Sequence, residues 1–307
     1  MKGAIVTGAN GFIGSHVVRQ LLQQEIRVVA LCHDGKCDNL PQSELLTVCS
    51  FDLERTNDFA KSHTKEDIGC DVFYHFAWKG AAGAARADTA LQLDNAQWTV
   101  DALRLAKELG CKRFVGAGSI MEHETVAAAF ARENKPGMGY IYGGGKLIAH
   151  VMAKSVAANI GIEFIWPMIT NAYGAGEISP RLVNSTIRKI LQGETPCFTA
   201  GTQNYDFVYI DDVAKAFCLI GEKGKPFCEY MIGSSQARPL KEFLLEMKAA
   251  IAPDREFIFG DVPFTGINLP ISYFDGHDTE QDTGFHAEIS FAEGAKKTRD
   301  WMAGFMN

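Results

Sequence analysis

Tyr142 and Lys146 stand four residues apart in Tyr142-Gly143-Gly144-Gly145-Lys146, and Ser119 lies at the end of the strand-like run before them. On a helix that spacing puts both side chains on one face. An ammonium beside a phenol favours phenolate and lowers a pKa that is ordinarily about 10 toward the working range of a general acid and base. The Ser119 hydroxyl could hydrogen-bond a reacting oxygen and hold it against the phenol. Each intervening glycine costs a helix roughly 1 kcal/mol relative to alanine, so the triplet predicts close packing of a cofactor or of a partner backbone. The plainer alternative is a surface tyrosine and lysine that share a helix face by chance.

A second cluster precedes these residues. Thr7-Gly8-Ala9-Asn10-Gly11-Phe12-Ile13-Gly14 follows an apolar run, Ala4 to Thr7, and opens a helical pattern, Ser15 to Gln24. Glycines let the backbone turn sharply and approach a pyrophosphate, while the helix amino end offers unpaired N–H groups and a partial positive charge. A tight strand-to-helix turn would need the same glycines. Placed between a strand and a helix of these lengths, Gly8, Asn10, Gly11, Phe12, Ile13 and Gly14 predict a dinucleotide site.

Both clusters need a scaffold that alternates strands with helices. Strands are predicted at Ala4–Thr7, Arg27–Cys32, Leu46–Phe51, Asp71–Phe76, Arg113–Ala117 and Glu163–Trp166, each short and continuously apolar. Helices are predicted at Ala90–Leu109, ended by Gly110, and at Tyr142–Ala158. The fold class is therefore α/β: a Rossmann-type doubly wound parallel sheet buried on both faces, with a smaller mixed α/β substrate lobe at the carboxyl end. The cofactor domain is expected over 1–167 and the lobe over 168–307, with 205–226 returning to the main domain. Further helices are predicted at Val183–Leu191, Leu240–Ala250 and Phe291–Phe305, and a short strand at Phe207–Ile210.

Composition narrows the classes of function. With 30 basic and 37 acidic side chains in 307 residues the net charge is −7, and no basic stripe is available for a phosphate backbone, so nucleic acid is not an expected partner. The eight cysteines show no C-x-x-C pair and predict reduced core thiols, with no metal site. No stretch approaches the roughly 18 apolar residues of a membrane span, and no leader pattern opens the chain, so a cytoplasmic protein off the membrane is expected.

The glycine motif and the Ser119/Tyr142/Lys146 set are followed by further motifs. His75-Phe76-Ala77, Asn171-Ala172-Tyr173-Gly174 and Asp206-Phe207-Val208-Tyr209-Ile210-Asp211-Asp212-Val213 stand in the order seen in extended short-chain dehydrogenase/reductases. The chain resembles their NAD-dependent epimerase/dehydratase family over nearly its whole length. The resemblance implies Tyr142 as acid/base, Lys146 lowering its pKa and holding the nicotinamide ribose, and Ser119 orienting the substrate. It also places Asp52 and Leu53 at the adenine, Phe76 and Ala77 along the pyrophosphate and ribose, and Asn95 near the cofactor, although a lone aspartate after a strand is commonly a turn or cap residue. Relatives pair helices into a four-helix bundle, which implies a homodimer through Ala90–Leu109 and Tyr142–Ala158.

Departures from the pattern shape the expected chemistry. Cys32 stands where NAD-preferring relatives carry an acidic residue, and His33 follows, with Lys36 near, so NADP(H) is slightly favoured over NAD(H); Asp34 is two residues late. Ile120 and Met121 replace the Asp-Glu pair of dehydratases, and Glu122 would point elsewhere if the segment is extended, which leaves 4-epimerisation or reduction of a 4-keto group. Tyr205 stands in place of an arginine that pairs with the substrate diphosphate, and Met168 replaces another. Asn171 fits the substrate asparagine, and Arg181, Arg188 or Lys79 could supply the missing charge; a solvated face is the simpler account of Arg188. Trp78 opens a small-residue loop and could stack on substrate or simply pack, whereas His75 is expected to be a hydrogen-bonded core residue. The substrate is expected to be a sugar, most plausibly nucleotide-linked. The alternatives are a reductase of a non-nucleotide ketone or aldehyde, and an inactive NAD(P)-sensing binding protein.

Overall fold

A computed structural model describes residues 1–306. Its strands β1 (Gly3–Thr7), β2 (Arg27–Cys32), β3 (Leu46–Ser50), β4 (Val72–His75), β5 (Arg113–Gly116), β6 (Glu163–Ile169) and β7 (Glu229–Ile232) form one sheet in the order β7-β6-β5-β4-β1-β2-β3. Every pairing along it is parallel, and the short strand Gly118–Ser119 also joins β6. Side chains alternate between faces as a pleated strand requires: Ala4 and Val6 belong to one apolar layer and Ile5 to the other. Helices α1 (Phe12–Gln23) and α6 (Ile210–Lys223) pack together on the first face. On the second lie α2 (Thr89–Glu108) and α4 (Tyr140–Ile160), which pack against each other.

The predicted strands and long helices are all present within a few residues of their expected bounds. Gly110 takes the positive φ of +79° that ends α2, as a C′ glycine does. One expectation fails at β3. It is the edge strand, and Thr47, Val48 and Ser50 are exposed, so the sheet is buried on both sides only between its edges. An apolar run marks a strand but not its place in the sheet, which depends on pairing with distant chain.

Beyond residue 167, α6 packs on α1 and β7 joins the sheet beside β6; the sequence signalled 205–226 but not the strand β7. Helices α5 (Leu182–Leu191), α7 (Leu240–Ile251) and α8 (Phe291–Met306) pack together beyond it. A further unpredicted helix, α3 (Met121–Phe130), follows Ser119. Its residues are good helix formers, and Glu122 and Glu124 in the first turn complement the helix dipole.

The cysteines divide: Cys32, Cys70, Cys111 and Cys218 are buried, Cys49, Cys197 and Cys228 half-buried and Cys37 exposed, all unpaired. The expectation of core thiols thus holds for the buried four and fails for Cys37. No helix among the described residues is long and apolar enough to cross a membrane.

Candidate active site

The turn after β1 is built so that only glycine fits at two positions. Gly8 has φ +64°, and a Cβ there would lie 2.7 Å from the Ala77 nitrogen; a Cβ on Gly14 would lie 2.2 Å from the Gly8 carbonyl oxygen. The Gly11 N-cap makes no side-chain hydrogen bond to α1, which leaves the first-turn N–H groups available to an anion. Gly8, Gly11, Phe12, Ile13, Gly14, Phe76, Trp78, Tyr142 and Lys146 line one cleft in front of that helix end. This bare, close-packed backbone cradle fits a dinucleotide's pyrophosphate.

Around the cleft the candidates separate. Asn10 accepts from the Asn39 N–H and its carbonyl from the Asn39 amide, both at 2.8 Å, so it braces the turn. Burial pushes the Cys32 thiol up to about 11, and exposed His33 sits 3.4 Å from the Asp34 carboxylate. Asp52 caps the short helical turn after β3 by accepting the Glu54 N–H at 3.0 Å, and Leu53 is buried. Asn95 clamps the backbone of Lys79 through two 2.8 Å hydrogen bonds, and the Lys79 ammonium pairs with Glu54. His33, Asp52, Leu53, Lys79 and Asn95 therefore line neither this cleft nor the cavity beside it. His75 is a buried core residue held by Thr7 and Thr99, and burial pushes its pKa down to about 3.

Tyr142 and Lys146 are buried on the face of α4 that closes the cleft. The glycines between them serve neighbouring chain. A Cβ at Gly143 would strike Thr125 Oγ1 and the Met121 carbonyl on α3, and one at Gly145 would lie 2.9 Å from Gln92 on α2. Lys146 Nζ donates to the Ala117 carbonyl at 2.8 Å and lies 3.6 Å from the centroid of the Trp78 ring and 6.0 Å from that of Tyr142. Trp78 thus packs on the lysine, with its indole N–H given to Gln92. Burial lowers Lys146 to about 7. Burial also raises the Tyr142 phenol, opposed by Arg181, Arg86 and Ser119. The expected net lowering by Lys146 is thus not what the structure holds, because enclosure outweighs the nearby cations.

On the other side of Tyr142 is a cavity of about 270 Å³, lined by Arg86, Ser119, Glu124, Asn171, Arg181 and Tyr205 among others. The Arg86 guanidinium lies 4.3 Å from the Tyr142 ring centroid and donates to the Ala81 carbonyl at 3.4 Å. Arg181 sits 3.2 Å from Glu177, an ion pair that makes no hydrogen bond at Nε. Asn171 donates to the Asp206 carbonyl at 3.0 Å. Burial pushes Tyr205 up to about 12 and Glu124 up to about 7, with Arg86 opposing at Glu124. Met168 is buried in β6 and faces away from this cavity, and Arg188 is half-buried and donates to the Ile178 carbonyl.

Sequence reasoning missed Arg86 and Glu124. Arg86 lies in the short helical turn Ala84–Ala87 with no motif around it, and Glu124 reaches the cavity only because the segment after Ser119 is helical. Glu122 is the buried brace here: it accepts from the Ser119 N–H at 2.9 Å, Trp166 Nε1 at 3.0 Å and His150 Nδ1 at 3.0 Å.

This geometry agrees with what the chain is similar to. A model described as the NAD dependent epimerase/dehydratase family matches residues 4–233. The chain belongs to that family. A putative UDP-glucose 4-epimerase of Methanocaldococcus jannaschii is 26% identical over 309 residues, covering 97% of each chain. A trifunctional UDP-glucose 4,6-dehydratase/UDP-4-keto-6-deoxy-D-glucose 3,5-epimerase/UDP-4-keto-L-rhamnose-reductase of Arabidopsis thaliana is 23% identical; the match takes in 98% of this chain and 47% of that protein, so the chain spans about half its length. The crystal structure of a UDP-glucose 4-epimerase from Thermotoga maritima with UDP-glucose superposes with a TM-score of 0.82 at 20% identity, over 99% of this chain and 100% of that one. At that identity the superposition shows the fold.

Proposed function

We propose that this family member is an oxidoreductase or epimerase of nucleotide-linked sugars, acting as a 4-epimerase or 4-keto reductase. The observation that carries this is one cavity, beside the glycine cleft, that joins Ser119 and Tyr142 to two guanidinium groups, Arg86 and Arg181. Two permanent cations replace the charge that Tyr205 and Met168 do not supply, and suit a diphosphate-bearing substrate better than a neutral ketone. Gly8, Gly11, Phe12 and the α1 amino end would hold the dinucleotide, with Lys146 and Tyr142 at its reactive end. When bound, that cofactor supplies a reversible hydride acceptor.

Tyr142 takes the proton of the substrate hydroxyl during oxidation and returns it during reduction. Ser119, whose backbone is pinned by Glu122, hydrogen-bonds the same oxygen. Arg86 on the phenol ring favours the phenolate, and Trp78 keeps Lys146 desolvated and aimed at the cleft.

A preference for NADP(H) rests on the neutral Cys32 and on His33, and Asp34 beside His33 opposes it. Separate titrations with NADH and NADPH decide the point. A homodimer through α2 and α4 is supported by exposed Leu93, Val151 and Met152 on those helices, and sedimentation tests it. The function itself is tested by mixing NAD⁺-loaded protein with UDP-glucose, UDP-N-acetylglucosamine and UDP-glucuronic acid. Reduced nicotinamide or a 4-epimer is expected with at least one of them. Silence with all three, together with turnover of simple ketones, would favour the non-nucleotide reductase.

A further inference from the structure

The segment that ends at Ser119 is gripped by two buried charges. Lys146, in the wall of the cleft, donates to the Ala117 carbonyl at 2.8 Å, and Glu122, in the wall of a separate cavity behind α3, accepts from the Ser119 N–H at 2.9 Å. Gly118, between those grips, lines the cleft. A Cβ there would lie 2.5 Å from Trp166 Nε1 and 2.9 Å from Glu122 Oε1, so the carboxylate stands directly behind the cleft wall at a place where no side chain can intervene. Trp166 joins the two charges: its indole N–H donates to Glu122 Oε1 at 3.0 Å, and Lys146 Nζ lies 5.9 Å from the centroid of its ring.

Glu122 is 2% exposed and Lys146 6%. A charge taken out of water is costly unless an opposite charge or fixed dipoles replace the solvent. Around the ammonium stand Tyr142 on its own helix, His75 on β4, Arg181 ahead of α5 and Glu122 on α3. Burial keeps His75 neutral at ordinary pH. Against the burial that lowers Lys146, Glu122 favours the charged form and Arg181 opposes it. Facing Glu122 in turn is His150 on α4, 3.0 Å from Oε2. Beyond it are His123 and, 3.7 Å from His150 Nε2, Glu229 on β7, itself 3.2 Å from Lys154.

We propose that Glu122 is a positioning residue for the reaction, whose carboxylate both fixes the Ser119 backbone and serves as the counter-charge that keeps the enclosed Lys146 side chain an ammonium. It lines neither the cleft nor the cavity beside Tyr142, so it acts through its neighbours. The inference rests on the function proposed above, in which Ser119 and Lys146 work with Tyr142, and deepens it. Its sign is fixed. Removing the negative charge ends its attraction for the ammonium, so Lys146 loses its proton at lower pH. It also ends a repulsion of the phenolate, so Tyr142 ionises at lower pH. Either limb of a pH–rate profile set by these groups therefore moves the same way.

The test follows Lys146 itself and needs no turnover. Protein labelled with ¹³C at the lysine ε-carbons is titrated by NMR, the Lys146 signal being the one lost in Lys146→Met. In the parent the midpoint is expected near pH 7. Glu122→Gln keeps an acceptor for Ser119 and Trp166 and drops the charge; it should lower the midpoint by about one pH unit and carry the pH–rate profile to lower pH with it. Glu122→Asp keeps the charge and should leave the midpoint close to the parent's, even where kcat falls. If Glu122→Gln does not fold, His150→Phe removes a donor from the carboxylate while keeping a ring stacked on Trp166, and should raise the midpoint. A midpoint unmoved in the folded variant, or moved equally by Gln and Asp, overturns the inference. An unmoved midpoint in protein that reduces its NAD⁺ with a UDP-sugar refutes Glu122 alone. A lowered midpoint in protein silent with every UDP-sugar supports the counter-charge and refutes the proposed substrate.

Discussion

The two hollows on either side of Tyr142 are walled by different material. The cleft before α1 has a glycine turn as one wall, where Gly8 and Gly14 exist because a Cβ would collide with chain atoms. The cavity beyond is walled by residues from six separate stretches, among them Arg86, Glu124, Asn171, Arg181 and Tyr205. A backbone wall tolerates one residue type at each close approach, so it writes a fixed spacing into the sequence. A side-chain wall can be assembled from many positions, so it writes none.

Tyr142→Phe strikes a group that lines both hollows and carries the largest expected effect. Turnover should fall by roughly 10²- to 10⁴-fold, with NADH affinity in a direct titration nearly unchanged. Turnover at the parent rate would remove Tyr142 from the chemistry. Next comes the backbone wall: Gly14→Val places a Cβ 2.2 Å from the Gly8 carbonyl oxygen, so the turn must deform. Loss of dinucleotide-induced thermal protection is expected, with a fall in stability on the order of 1–3 kcal/mol. Retained protection would show that the cleft is not the cofactor site.

Arg86→Met should act on the side-chain wall alone, raising KM for UDP-sugars while leaving NADH binding intact. Removing a cation that favours phenolate raises the phenol pKa, so the limb of the pH–rate profile set by Tyr142 should move to higher pH. A profile that stays in place would mean that Arg86 merely rests on the ring. The smallest effect concerns stability. Glu124 is raised from 4.5 to about 7 in the folded chain, so the folded state binds more protons than the unfolded state between those values. Its contribution is fully present below pH 4.5 and is lost as pH rises through 7. Thermal midpoints of Glu124→Gln against the parent should therefore show a flatter dependence over that window. Parallel curves would mean that Glu124 titrates normally.

Legibility followed the same division. The glycine turn, the Tyr142/Lys146 spacing and the end of α2 at Gly110 could all be read because each is a local backbone requirement. The helix after Ser119 was not foreseen, and that one omission misplaced both glutamates: Glu122 was set aside when it is the buried brace of Ser119, and Glu124 went unseen. Asp52 and Asn95 carry weight in the sequence only from their place in a series of motifs, and Lys79 only as a candidate for a missing charge. In the fold they cap a turn, clamp a loop and pair with Glu54. Even the glycines of α4 had two explanations until the packing of α2 and α3 against Gly145 and Gly143 chose between them.

The sequence by itself determined the alternation of strands and helices, the backbone cradle after β1 and the helix face shared by Tyr142 and Lys146. Each follows from steric or periodic rules acting over fewer than about ten residues. Only the tertiary structure decided that β3 is an edge, that burial pushes Tyr142 up and Lys146 down, and that Arg86 and Glu124 complete the cavity. Those outcomes depend on desolvation and on contacts between residues far apart in the chain, and both quantities exist only once the chain has closed around them.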